Sequence, residues 1–254
     1  MKLLVLYKKE LGDSLFTVRG GAWLLAAVVV LSAASILFVT NEKFNLLDQK
    51  AVILLTCKLA IALGGLVALV QAADAFAGER ERHTLESLLL VPISHQSIVW
   101  AKLLSALTAW ALVYLISLPY LAVMSVGLAV FTASAVSSLL FGGALVTGLV
   151  ALAIAISCRL DSTKSAASFA LLIALVVFGL TFLPPPMVAS GPGKLLDAIN
   201  PAASAFDALM KIVVDERSLA SQAPRLLAVL TFAGGALALM AALGRNVRLS
   251  GGMA

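Results

Sequence analysis

"GGAWLLAAVVVLSAASILFV", residues 20–39, decides the fold class. It carries no charge. Coiled as a helix rising 1.5 Å per residue, it covers about 30 Å, the thickness of a bilayer's hydrocarbon core. The whole chain has the same character: of 254 residues, 61% are hydrophobic and only 12% charged. A soluble domain carries about 25% charged residues. Mean hydropathy is +1.06, and the ten-residue alternation of a transmembrane β-barrel is absent. The expected fold is all-α: one polytopic membrane domain over residues 1–254.

Five more spans are expected: Ala51–Ala77, Ile98–Val126 with Pro119 inside it, Ser134–Ser157, Ser165–Leu183 before a triple proline, and Leu226–Leu243. Six crossings put both termini on one side. That side receives eleven of the 18 Lys and Arg residues and the other seven. Positive residues stay in the cytoplasm, so both termini, and the 79–94 stretch, are expected there. The pI near 9.4 reflects this scatter of basic residues at span ends. A nucleic-acid surface would cluster them, so no nucleic-acid partner is expected. Cys57 and Cys158 show neither disulfide nor zinc spacing and read as packing residues. The 19 residues before the first run, and that run's length, argue against a signal peptide.

Those leading residues, 1–19, read as an amphipathic interfacial helix. Leu4, Tyr7, Leu11, Leu15 and Val18 share one face, which would lie in lipid at the cytoplasmic headgroups. On the other side, residues 184–224 form a long loop before the last span. Within it Asn200 is placed as N-cap and Pro201 as the first helical residue. Phe206, Leu209, Met210 and Val213 then follow helical spacing. That helix either covers the tops of the spans or partly re-enters the membrane.

The densest charge sits in "AFAGERERHTLESLLLVPIS", residues 75–94, where Glu79–Glu86 holds three glutamates, two arginines and a histidine. Gly78 would end or bend the second span. A short helix would follow from Glu79, supported by Glu79–His83 and Arg82–Glu86 pairs four apart. Leu85, Leu88 and Leu89 make an apolar stripe, Pro92 forbids continuation, and Ser94 or Ser97 caps the next helix. Charges would face outward and leucines inward, giving a cytoplasmic helix that a partner could push. An ordinary solvated loop is the plainer alternative.

"GERERHTLESLLLVPISHQSIVWAKLLSA" resembles the loop between the second and third spans of ABC type-2 permeases, the membrane subunits of bacterial ATP-binding-cassette exporters. Glu79-Arg80-Glu81, Thr84-Leu85-Glu86, Leu88-Leu89, Pro92-Ile93-Ser94 and Lys102-Leu103 carry the resemblance. "YKKELGDSL" and Asn200-Pro201 extend it over essentially the whole chain. One departure is His83, where many members have glycine. The resemblance implies an inner-membrane permease that pairs with a second copy or close relative and exports cargo. It implies a coupling helix over residues 78–94 that docks one of two cytoplasmic ATPase subunits through Glu79, Arg80, Glu81, Arg82, Thr84, Leu85, Glu86, Leu88 and Leu89. ATP and Mg would sit on those subunits, since no GxxxxGK[ST] phosphate loop occurs here. The chain itself is expected to hold no cofactor and catalyse nothing. An extracytoplasmic accessory protein is a further partner that the resemblance admits.

Asp74 and Lys58 are the charges of the second span and candidates for a cargo or ion pathway. About 24 Å of helix separates them, so they cannot pair. The histidines lie outside the spans with no ligand spacing around them, which disfavours metal. The interiors of spans one, four, five and six lack ionisable groups, which disfavours an ion-driven transporter. The apolar interior favours a hydrophobic or amphipathic cargo. The competing reading is a non-transporting assembly factor or membrane-anchor subunit.

Overall fold

The computed structural model describes residues 2–15, 17–40, 49–85, 93–182, 187 and 190–245. All regular structure among these residues is helical, with no strand. The order is α1 (Lys2–Leu15), α2 (Val18–Thr40), α3 (Gln49–Glu81), α4 (His95–Met124), α5 (Phe131–Ser137), a π-helical turn (Ser138–Gly142) and α6 (Gly143–Ser157). Then come α7 (Thr163–Gly179), a 3₁₀ turn (Leu180–Phe182), α8 (Gly191–Ile199), α9 (Pro201–Val213), a second 3₁₀ turn (Leu219–Gln222) and α10 (Ala223–Gly244).

Five helical stretches are long and apolar enough to cross a bilayer: Gly20–Phe38, Gln49–Glu81, His95–Met124, Phe131–Ser157 and Leu219–Gly244. The fifth expected span is the shorter α7, which the 3₁₀ turn after it extends. Six crossings therefore form the body of the molecule. At 33 residues α3 is about 50 Å long and overshoots the hydrocarbon. The π turn coincides with serines whose hydroxyls fold back on the helix: Ser137 donates to Ala133 C=O and Ser138 to Ser134 C=O. Such back-bonding competes with the regular ladder.

α3 and α6 form the axis of the bundle. The apolar window of α3 is 67% buried within the chain and that of the α5–α6 span 61%, against 11% for α2. The outward side of α2 is thus left for lipid or another protein. α3 packs along α4, α6 and α7, and α6 packs along α10. Ile53, Ile61, Leu69, Phe76, Phe141, Leu145, Leu149 and Ile154 fill the space between them. The approach of α6 to α10 is close because position 148 is glycine. A Cβ there would run into the Phe232 ring and stand 3.2 Å from Ala233 Cα.

Two expectations about the flanking helices are corrected. α1 packs across α4 with Leu6, Glu10 and Leu15 turned inward, while Leu4 and Val18 are exposed. The inward line is displaced from the apolar stripe because Tyr7, Glu10 and Ser14 find polar partners on α4. In the long loop, Asn200 caps α9 by accepting from Ala202 N–H at 3.0 Å, and its Nδ2 donates to Val177 C=O at 2.9 Å. α9 wedges against α3, α5, α7 and α10 with Phe206, Leu209 and Val213 buried. Met210, expected on that face, is exposed. α8, which precedes α9, has no counterpart in the sequence reading.

Gly148→Leu should lower stability by about 1–3 kcal/mol through overpacking, read as a lower unfolding midpoint in detergent. Gly234→Ala, where a Cβ meets nothing within 4 Å, should leave that midpoint unchanged.

Candidate functional site

The charged stretch begins inside a helix. α3 runs through Gly78 to Glu81, so neither a helix end at Gly78 nor a new helix starting at Glu79 is found. Asp74 explains the glycine: its carboxylate lies against the Gly78 Cα, where a Cβ would stand. The helix stops at His83, whose φ of +57° is left-handed. His83 N–H donates to Arg80 C=O at 3.0 Å and Thr84 N–H to Glu79 C=O at 2.9 Å. That pair of bonds is a Schellman stop, and glycine favours its left-handed position. Beyond it Leu85 is buried. Glu86, Leu88 and Leu89, along with Pro92, lie outside the described residues. The next helix opens at Ser94, whose Oγ accepts from Ser97 N–H.

Four consecutive charges then go to four different places. Glu79 sits 3.6 Å from Lys102 Nζ and accepts a hydrogen bond from Thr84 Oγ1. Arg80 reaches the C-terminus of α6, donating to Leu160 C=O at 2.6 Å, Cys158 C=O at 2.8 Å and Ser157 C=O at 3.4 Å. A cation there satisfies terminal carbonyls and complements the helix dipole. Glu81 does the converse for α7, its Oε2 accepting from Thr163 N–H at 3.0 Å. Arg82 turns back onto Asp74 at 2.7 Å, and Thr163 Oγ1 donates to the other Asp74 oxygen at 3.1 Å. The expected outward array is corrected accordingly: Glu79 and Arg80 are turned into the bundle because helix ends and a buried lysine need them. Glu81, Arg82, His83 and Thr84 form the exposed crown.

Ser157 and Lys102 complete the clamp. Ser157 is fully buried; its Oγ donates to Ala73 C=O at 2.7 Å and accepts from Phe76 N–H at 3.0 Å and Ala77 N–H at 2.9 Å. The α6 terminus thus grips the backbone of α3 while Arg80 of α3 grips the α6 carbonyls. Lys102 is buried. Its side chain is 3% exposed, bonded to Glu10 at 3.0 Å and set 5.5 Å over the Phe76 ring. With Ser14 Oγ on Ser105 Oγ (3.1 Å) and Tyr7 Oη on Thr108 Oγ1 (2.8 Å), it pins α1 to α4. The available signal was the polar line Tyr7, Glu10 and Ser14, spaced 3 and 4 apart beside the apolar stripe. On α1, burial lowers the Lys9 pKa. The Asp13 hydrogen bond and the charges of Glu10, Asp13 and Glu79 outweigh it, so the ammonium is held above its usual range.

Lys58 lies toward the opposite end of α3, its Nζ 5.2 Å from the centroid of the Phe206 ring. Beyond it, Lys50 meets Glu216 at 2.7 Å and Arg225 meets Asp207 at 3.5 Å. Asp74 and Lys58 are therefore held at separate ends of the bundle.

Ser157→Ala should cost about 1–3 kcal/mol, the penalty of a buried polar group that loses its partner. Amide exchange at Phe76 and Ala77 should quicken with it. His83→Gly should raise stability by about 1 kcal/mol by relieving the left-handed residue. Thermal unfolding of the two variants should move in opposite directions.

No characterised protein in a search of curated sequences matches the chain. A family model described as ABC-2 family transporter protein matches residues 4–205. The match takes in α1, the whole clamp and the Asn200–Pro201 cap, and with six apolar crossings around them it makes this chain a member of the ABC-2 transporter family.

Proposed function

We propose that the chain is the membrane-spanning permease of an ABC exporter, working as a dimer with ATP hydrolysed on two separate cytoplasmic subunits. Both termini lie in the cytoplasm of a bacterial inner membrane, and the cargo is hydrophobic or amphipathic. The observation that carries this reading is the clamp. A turn that exposes Glu81–Thr84 stands on a helix end whose side chains hold α4, α6 and α7 directly, and α1 through Lys102. Force applied to that turn by an ATPase subunit enters several helices at once. The family membership supports the partnership in general terms.

Within this reading the residues divide by role. Arg82, Thr84 and the Glu86, Leu88 and Leu89 segment receive the partner. Leu85, which is buried, anchors the turn to the bundle. Glu79, Arg80 and Glu81 pass the motion on. Lys58, a partly buried cation near an outer helix, and Asp74 remain the charges through which a pathway would be sensed.

Affinity purification of the chain from native membranes in mild detergent tests the partnership. A stoichiometric soluble subunit with vanadate-sensitive ATP hydrolysis is expected. An intact chain without ATPase would favour the assembly-factor reading instead. His83→Asp and Glu86→Lys should each lower the bound ATPase at least several-fold while leaving the amount of folded permease unchanged. His83→Asp suits this test because aspartate tolerates the left-handed backbone.

A further inference from the structure

At the end of α3 opposite the clamp, Lys58 is a cation without a paired anion. Its Nζ rests 5.2 Å from the centroid of the Phe206 ring. Among the described residues no carboxylate comes within ion-pair distance of it. Asp207, whose charge acts on it from farther off, is engaged by Arg225 at 3.5 Å. The Phe206 ring attracts the ammonium group through its face but accepts none of its three N–H donors in an ordinary hydrogen bond. The lysine is only partly buried, so an anion arriving from the membrane side can reach it.

A groove of about 560 Å³ between α3 and α7 leads away from that ammonium group. Ala62, Leu66 and Leu69 of α3 line one wall, and Leu172 and Phe178 of α7 the other. Lys58, Ala62, Leu66 and Leu69 are spaced 4, 4 and 3 apart, so the lysine heads the same face of α3. The Phe178 ring stands 5.9 Å from the Phe206 ring that carries Lys58, so the groove and the cation meet at this ring pair. Leu66 and Leu172 are exposed, and the groove therefore opens onto the acyl chains of the bilayer. From Lys58 to Leu69 α3 rises about 16 Å, close to half of a hydrocarbon core of about 30 Å. The groove thus has the depth of one leaflet, with its cation at the headgroup end, where the Lys50–Glu216 pair marks the surface beyond.

We propose that this groove seats an anionic phospholipid of the leaflet opposite the clamp, its phosphate on Lys58 and one acyl chain along Leu66 and Leu172. The length of the groove fits a chain of one leaflet, and the unpaired cation selects a headgroup of net negative charge. A choline lipid brings its own cation and gains less from Lys58. The site goes beyond the permease reading. It needs only this chain in a membrane, and the absence of an ATPase partner would leave it untouched.

Leu172→Trp puts a reporter in the groove wall, where the exposure of Leu172 leaves room for the larger ring. The full chain is placed in phosphatidylcholine nanodiscs that contain increasing fractions of phosphatidylglycerol or phosphatidylcholine brominated on the acyl chains, since bromine quenches tryptophan. The reporter signal is the difference from the chain without Leu172→Trp, which carries Trp23, Trp100 and Trp110 as background. Half-quenching is expected at an about five-fold lower fraction of the glycerol lipid, the preference that one lysine gives an anionic headgroup. That preference should vanish when Lys58→Gln is added and persist with Lys58→Arg. Leu230→Trp, at an exposed position of α10 outside the groove, should show no preference. Equal quenching by the two lipids at Leu172→Trp, or a preference that survives Lys58→Gln, would overturn the proposal. So would a reporter quenched by neither lipid, which would mean that a second copy of the chain covers the groove. Should Lys58→Gln fail to fold, Lys58→Met keeps the apolar stem, removes the charge and makes the same test.

Discussion

The bundle depends on a reciprocal bond between two helix ends. α6 finishes where α3 still has a turn to run, and each lends a side chain to the other's backbone. Ser157 of α6 bonds three backbone groups of α3, and Arg80 of α3 bonds three carbonyls at and beyond the end of α6. A helix end leaves backbone groups without intrahelical partners, and Ser157 is shielded completely. Water cannot replace the Ser157 bonds there, so removing that hydroxyl strands polar groups. The two most buried helices of the molecule are thereby locked in register at one end.

The other charges near that end extend the lock outward. Glu81 gives α7 the N-terminal acceptor that its own Ser162 does not provide. Lys102 would be a large penalty in an apolar bundle by itself. It is tolerated because Glu10, Glu79 and the Phe76 ring surround it. This arrangement gives α1 a fixed seat on α4. The proposed transfer of force from a soluble motor to the membrane half calls for a rigid joint of this kind. The clamp supplies one from side chains contributed by α1, α3, α4 and α6.

Much of this was legible in the residues. Uncharged runs near twenty long set the crossings, because hydrocarbon thickness leaves little choice of length. Asn200-Pro201 marked the start of α9 because an N-cap and an N1 proline act through local backbone chemistry. Ser94 was legible as a cap for the same reason. His83, noted in the sequence only as a departure from glycine within an expected helix, adopts a left-handed backbone with a positive φ. By contrast, Gly78 was misread as a break. Its role is to make room for the Asp74 carboxylate, which lies on the same helix but is aimed by Arg82 and Thr163.

The sequence by itself determined the all-helical class, the six crossings, the local caps and the place where charge is concentrated. Each follows from the chemistry of a short segment against water or lipid. Only the tertiary structure decided where each charge points. Glu79, Arg80, Glu81 and Arg82 are neighbours in the chain, yet successive residues on a helix project about 100° apart. Glu79, Arg80 and Glu81 therefore meet three different helices while Arg82 turns back on its own, and a partner lies as far as 82 residues away in sequence. Helical periodicity predicts that the four diverge. It carries no information about which helix end, buried lysine or carboxylate waits in each direction, because packing of the whole bundle sets those positions.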